Sequence, residues 1–94
     1  MQHNSYFEGK VQSLAVNVPE GRATVGVIEP GSYTFGTDSE EHMTIVAGSA
    51  RVKLPGDDWQ SFGKGETFIV PPKSSFDIEA AADVAYICYY ISPS

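Results

Sequence analysis

The chain is poor in the residues that hold metals, bridge sulfurs or grip polyanions. One cysteine, Cys88, stands in 94 residues. No intrachain disulfide can form, which fits a reducing compartment. There are two histidines, His3 and His42, and six Lys+Arg against twelve Asp+Glu, a net charge of −6. The cations Lys10, Arg22, Arg51, Lys53, Lys64 and Lys73 stand singly. Nucleic-acid binding rests on a clustered basic patch, so neither nucleic acid nor an anionic membrane is an expected partner. No apolar run reaches the roughly 18 residues of a membrane span. The opening MQHNSYFEGK carries no basic leader and no apolar stretch, and the expectation is a cytoplasmic protein. Helical periodicity is missing too; the one helix-friendly stretch, Glu79 to Ala85, is short and lies inside an alternating pattern.

What is present suits a small globular β protein. Hydrophobic residues make up 41% and aromatics 12%, too apolar for a disordered chain. The length predicts one domain over 1–94. A chain this short removes only about 60–65% of its unfolded surface from water, so a dimer contact would add useful burial. Turn signals at Pro19-Glu20-Gly21, Glu29-Pro30-Gly31, Gly48, Pro55-Gly56-Asp57-Asp58, Gly63-Lys64-Gly65 and Pro71-Pro72 divide the chain into runs 11–18, 22–28, 32–36, 42–47, 50–54, 59–62, 67–70, 76–80 and 84–91. Within them the period is two, the pattern of half-buried strands. Leu14, Val16 and Val18 alternate with polar or small residues, as do Ala50, Val52 and Leu54, and Phe76, Ile78 and Ala80. Run 84–91 is apolar on both faces, consistent with a strand buried in the core and in a subunit contact, or with surface aromatics. The first five and last three residues are expected to fray.

Many short strands with Gly and Pro punctuation predict an all-β, jelly-roll-like barrel, and the chain resembles the cupins. Glu41 lies seven residues before Gly48, and Gly65 six before Pro71, the frames of the two cupin motifs. The metal ligands of that pattern are replaced. Its first histidine slots fall among Thr34, Phe35, Gly36 and Thr37, its third is Phe76, and the glycine after the proline is Lys73. His3 is terminal, and His42, next to Glu41, points to the other strand face. A transition ion needs three or four convergent ligands, so no metal and no cofactor are expected.

A second resemblance covers almost the whole chain. Tyr6-Phe7-Glu8-Gly9-Lys10-Val11, Gly21-Arg22-Ala23-Thr24-Val25-Gly26-Val27, Gly31-Ser32-Tyr33-Thr34-Phe35, Glu40-Glu41-His42-Met43-Thr44-Ile45, Leu54-Pro55, Trp59 and Tyr86-Ile87-Cys88-Tyr89-Tyr90 together look like the small bacterial cupins called pyrimidine/purine nucleoside phosphorylases. The departure is His42, which stands between Glu41 and Met43. The resemblance implies cleavage of the ribose–base bond by inorganic phosphate, with broad nucleoside specificity, and points to a homodimer.

That chemistry passes through an oxocarbenium-like state, as in glycoside cleavage. It needs a phosphate clamp, a polar contact to the ribose and a flat apolar slot for the base. Arg22 is the candidate clamp, since guanidinium pairs bidentately with phosphate; alternatively it is a surface arginine after a turn. Arg51 is the competitor, and its alternation with Val52 turns it towards solvent. Glu41 is the candidate ribose contact and charge stabiliser, or else one of a solvated acidic run from Asp38 to Glu41. Met43, two residues on, would contact the sugar or simply pack in the core. Tyr33, Phe35, Phe76 and Tyr90 are the aromatic pool for the base, with Tyr33 preferred; each is alternatively core. Cys88 reads as a small buried apolar residue, since no base stands beside it. A non-catalytic cupin binding a sugar or nucleoside is the competing function.

Overall fold

The computed structural model describes residues 1–92. Ten strands and no helix make up the described chain: β1 His3–Tyr6, β2 Val11–Val18, β3 Gly21–Ile28, β4 Gly31–Gly36, β5 Glu40–Ala47, β6 Ser49–Lys53, β7 Trp59–Gly63, β8 Thr67–Val70, β9 Ser75–Ala80 and β10 Val84–Ile91. They form two antiparallel sheets, a six-stranded one in the order β1-β2-β3-β10-β5-β8 and a four-stranded one in the order β4-β9-β6-β7. The architecture is a cupin-type jelly roll left open along one side. Two chain segments cross between the sheets at one end, β4–β5 and β8–β9.

The core lies between the sheets. Val11, Ile28, Ile45, Val70 and Val84 of the larger sheet meet Val52, Phe76 and Ile78 of the smaller. Period-two side-chain alternation delivers these residues to the inner faces. Two glycines are fixed by close approach. A Cβ on Gly26 would lie 2.6 Å from the Tyr86 ring, its cross-strand neighbour, so its absence lets that ring lie flat over β3. Gly48, in the β5–β6 turn, has φ +83 and would place a Cβ 2.7 Å from the Asp83 carbonyl. The closing glycine of the first cupin motif is thus a steric requirement here.

Two expectations change. The N-terminal residues do not all fray, because His3–Tyr6 pairs in register with Val11–Leu14. The inner face of β2 is the reverse of the expected one. Ser13 is 5% exposed while Leu14 is 43% exposed, because the inward face of β2 borders a cavity and must carry small, polar groups. Leu14 instead stands beside Val25 on the outer face. Lys73, at the cupin glycine position, adopts the left-handed conformation with φ +54. At the C-terminal end, Pro93 and Ser94 lie outside the described residues.

Candidate active site

The inner-face rows of the larger sheet place a cation and a carboxylate on either side of a tyrosine. Tyr90 of β10 pairs with Glu41 of β5. On its other side Tyr89 pairs with Ala23 of β3, so Tyr90 stands next to Arg22. Arg22, Tyr90 and Glu41 therefore occupy one row across three adjacent strands, with the cation and the carboxylate two strand spacings apart, about 10 Å between their backbones. The next row is Ala15, Thr24, Cys88, Met43 and Phe68.

Both rows border a cavity of about 720 Å³ between the sheets, within the size range of small-molecule sites. Arg22, Glu41, Met43, Phe35, Phe76 and Tyr90 all line it. Arg22 is exposed at the mouth, with its Cζ 5.2 Å from the centroid of the Tyr90 ring. The Tyr90 hydroxyl shares a 3.1 Å hydrogen bond with Thr24 Oγ1. Glu41 is half-buried, and Cys88 Sγ donates to its Oε1 at 3.5 Å. Burial pushes the Glu41 carboxyl above the usual carboxylate range; the Cys88 contact opposes this and the nearby Asp38 adds to it. Burial, reinforced by Glu41, raises the Cys88 thiol far above its ordinary value, so Cys88 stays a neutral donor rather than a nucleophile.

The opposite wall is aromatic. Phe35 and Phe76 are cross-strand partners with stacked rings 5.7 Å apart, and Phe7 meets Phe35 edge-on at 5.4 Å. The third histidine slot of the metal cupins thus holds a phenyl group locked into the core. Among the described residues no three His, Cys, Asp or Glu side chains converge as a metal-holding group. His42 bonds Glu40 at 2.6 Å, on the strand face away from Glu41.

Tyr33 does not reach the cavity. Its hydroxyl donates to the Glu29 carbonyl at 2.8 Å, and its ring packs 5.0 Å from Phe7, so its hydroxyl ties down the β3–β4 turn. Arg51 is also elsewhere, paired with Glu79 at 3.2 Å and lying over Trp59 on the outer face of the smaller sheet. In the other direction, the cavity wall includes Tyr6, Phe7, Ser13, Thr24, Tyr86 and Cys88, none of which the strand pattern singled out. The available signal was Tyr6-Phe7-Glu8-Gly9, whose turn holds Phe7 and Glu8 at φ 53 and 58. Consecutive left-handed non-glycine residues are costly and recur beside functional sites.

The family model described as pyrimidine/purine nucleoside phosphorylase matches residues 1–90. A protein of that name from Edwardsiella ictaluri is 52% identical over 91 residues, covering 95% of this chain and 96% of its own. The crystal structure of a protein of unknown function from Vibrio parahaemolyticus superposes with a TM-score of 0.91 at 44% identity, covering 96% of this chain and 97% of that one. An ethanolamine utilization protein from Salmonella typhimurium shares the fold alone, with a TM-score of 0.71 at 13% identity over 87% of this chain and 72% of its own. With the match running almost end to end, the chain belongs to the pyrimidine/purine nucleoside phosphorylase family.

Proposed function

We propose that this enzyme cleaves the N-glycosidic bond of purine and pyrimidine nucleosides with inorganic phosphate, releasing ribose 1-phosphate and free base. The observation that carries this reading is the row Arg22–Tyr90–Glu41 on the wall of one cavity. A phosphate oxygen attacks C1′ as the bond to the base nitrogen breaks; that bond's electron pair leaves with the base, and the proton that hydrogen phosphate brings in ends on the base nitrogen. Arg22 holds the phosphate through its N–H fork, because a planar guanidinium matches phosphate geometry. Glu41 accepts hydrogen bonds from the ribose hydroxyls and stabilises the positive charge that develops on the ring. Met43 contacts the sugar, and the Phe35–Phe76 wall supports the base. Stacking on aromatic rings accommodates any base, since each has a π-face, which suits broad specificity in a salvage reaction. The single neutral thiol suits the reducing cytoplasm.

The test follows free base released from uridine and inosine, with and without phosphate. Release that requires phosphate and yields ribose 1-phosphate is the expected result. Release without phosphate would make the enzyme a hydrolase, and binding without turnover would favour a nucleoside-binding cupin.

A homodimer accompanies this reading. Leu14, Val25, Val27, Val46 and Ile69 are exposed on the outer face of the larger sheet, an apolar surface of the kind that subunits cover. Sedimentation of a monomer at micromolar concentration would remove it.

A further inference from the structure

Resting on the phosphorolytic reading above, we infer that Tyr90 acts as the positioning residue of the phosphate clamp, with its ring holding the Arg22 guanidinium by its face while Thr24 anchors the Tyr90 hydroxyl. Three observations carry this. First, the Arg22 Cζ lies 5.2 Å from the Tyr90 centroid, within cation–π range. Second, Arg22 takes part in neither of the ion pairs found among the described residues, which join His42 to Glu40 and Arg51 to Glu79. The ring is thus its evident partner. Third, Thr24 is 6% exposed and bonds the Tyr90 hydroxyl at 3.1 Å. Arg22 and Thr24 are two residues apart on the inner face of β3, so both ends of the Tyr90 side chain are referred to one strand.

The chemistry favours this arrangement. Every N–H of a guanidinium lies in its plane, so an aromatic ring that takes the face leaves the edge donors free for an anion. A carboxylate partner would instead occupy those donors and oppose phosphate. Burial pushes Tyr90 up to about 12, so the ring remains a neutral phenol and puts no anion beside the phosphate. An exposed arginine loses much rotamer freedom when it binds, and prior stacking reduces that loss. Tyr90 is thereby distinguished from Phe35 and Phe76, whose rings stack with each other.

The measurement is the separate KM for inorganic phosphate and for nucleoside in wild type, Y90L, Y90F, T24V and R22A, with thermal midpoints alongside. Y90L removes the ring and is expected to raise the phosphate KM roughly tenfold, the scale of a partly desolvated cation–π contact, with the nucleoside KM within about twofold of wild type on the same scale. Y90F and T24V keep the ring and lose its anchor, so the same split is expected at smaller size. If Y90L does not fold, the Y90F and T24V values decide. An unchanged phosphate KM in the folded variants, or a rise confined to the nucleoside KM, overturns the assignment and returns Tyr90 to the base slot. R22A separates the two levels. Loss of phosphate saturation in R22A with none in the Tyr90 and Thr24 variants defeats only the positioning role. An R22A enzyme with wild-type phosphate dependence removes the clamp itself.

Discussion

The two walls of the cavity are made of different materials. The larger sheet presents Arg22, Thr24, Glu41, Cys88 and Tyr90, and the smaller presents Phe35, Phe76 and Ile78. Polar groups on the first wall are held by one another across strands, through the Thr24–Tyr90 and Cys88–Glu41 contacts. Rings on the second wall are held by packing that continues into the core, since Phe76 also meets Phe68 at 5.7 Å. One wall can therefore lose a charge with its backbone intact, while the other cannot lose a ring without opening the core. With phenyl groups on the smaller sheet, the walls draw their charge from the larger one, and Asp38 of the β4–β5 crossover adds to it beside Glu41.

Glu41→Gln is the largest expected effect and the sharpest probe of the first wall. It keeps shape and removes charge. Turnover should fall on the order of 100- to 1,000-fold, the range seen when one preorganised electrostatic contact to a transition state is lost. Stability should move the other way. Burial raises the folded-state pKa of Glu41, so folding favours the protonated acid. The stability it contributes is complete below its unfolded pKa and is lost as pH rises through the folded value. The variant should therefore melt above wild type at neutral pH, and this advantage should vanish in acid. For the same reason the acid limb of wild-type turnover should lie above the usual carboxylate range. Matched rate and melting profiles across pH check both statements, and a variant slower but no more stable at neutral pH would mean that the carboxylate is not desolvated as the fold implies.

Phe76→Ala tests the second wall and should cost stability first. Phe76 is 3% exposed, and truncating a buried phenylalanine costs about 3–5 kcal/mol. Phe35→Ala, at a half-buried ring on the same wall, should cost less stability and show instead as a raised nucleoside KM. Denaturant titration beside steady-state kinetics reads the pair. Should Phe76→Ala leave stability intact and abolish turnover, the division between a chemical wall and a packing wall would break.

The strand runs were legible because turns fix where a strand can begin. Pro19-Glu20-Gly21 and Glu29-Pro30-Gly31 bracket β3 closely. β1 was missed because His3–Tyr6 is a polar edge strand with no buried face of its own; it exists by pairing with β2. The face of β2 was misjudged for a reason tied to function. Alternation tells which residues share a side, and assigning the apolar side to the interior presumes a packed interior. Here the interior is a cavity, so Ser13 and Ala15 face in and Leu14 faces out. The site was legible only in part. Arg22, Glu41 and Met43 reach the cavity through strand parity, and Thr24 and Cys88 share that parity with Arg22 and Tyr90; what no local pattern carries is the register that brings β3, β10 and β5, distant in sequence, side by side. Tyr33 was misplaced because parity with Phe35 cannot foresee a hydroxyl claimed by the Glu29 carbonyl.

The smallest expected effect concerns the segments that join the two walls. The β8–β9 crossover carries Lys73 at φ +54, and the β4–β5 crossover is fastened to it by Thr37, whose Oγ1 donates to the Pro71 carbonyl at 2.7 Å and accepts from the Ser74 amide at 3.0 Å. These bonds hold Lys73 in a conformation that disfavours any residue with a Cβ by about 1–2 kcal/mol. Its side chain is exposed, so nothing is lost from the core by removing it. Lys73→Gly should relieve the strain and stabilise the fold by about 1 kcal/mol, less than the full steric relief because glycine also gains freedom in the unfolded chain. Turnover should not change, since the crossover lends no group to either wall. A thermal melt and one rate measurement suffice. If Lys73→Gly gained stability and lost rate, the crossover would be setting the distance between the polar and aromatic walls, and the two could no longer be treated as independent contributors to one site.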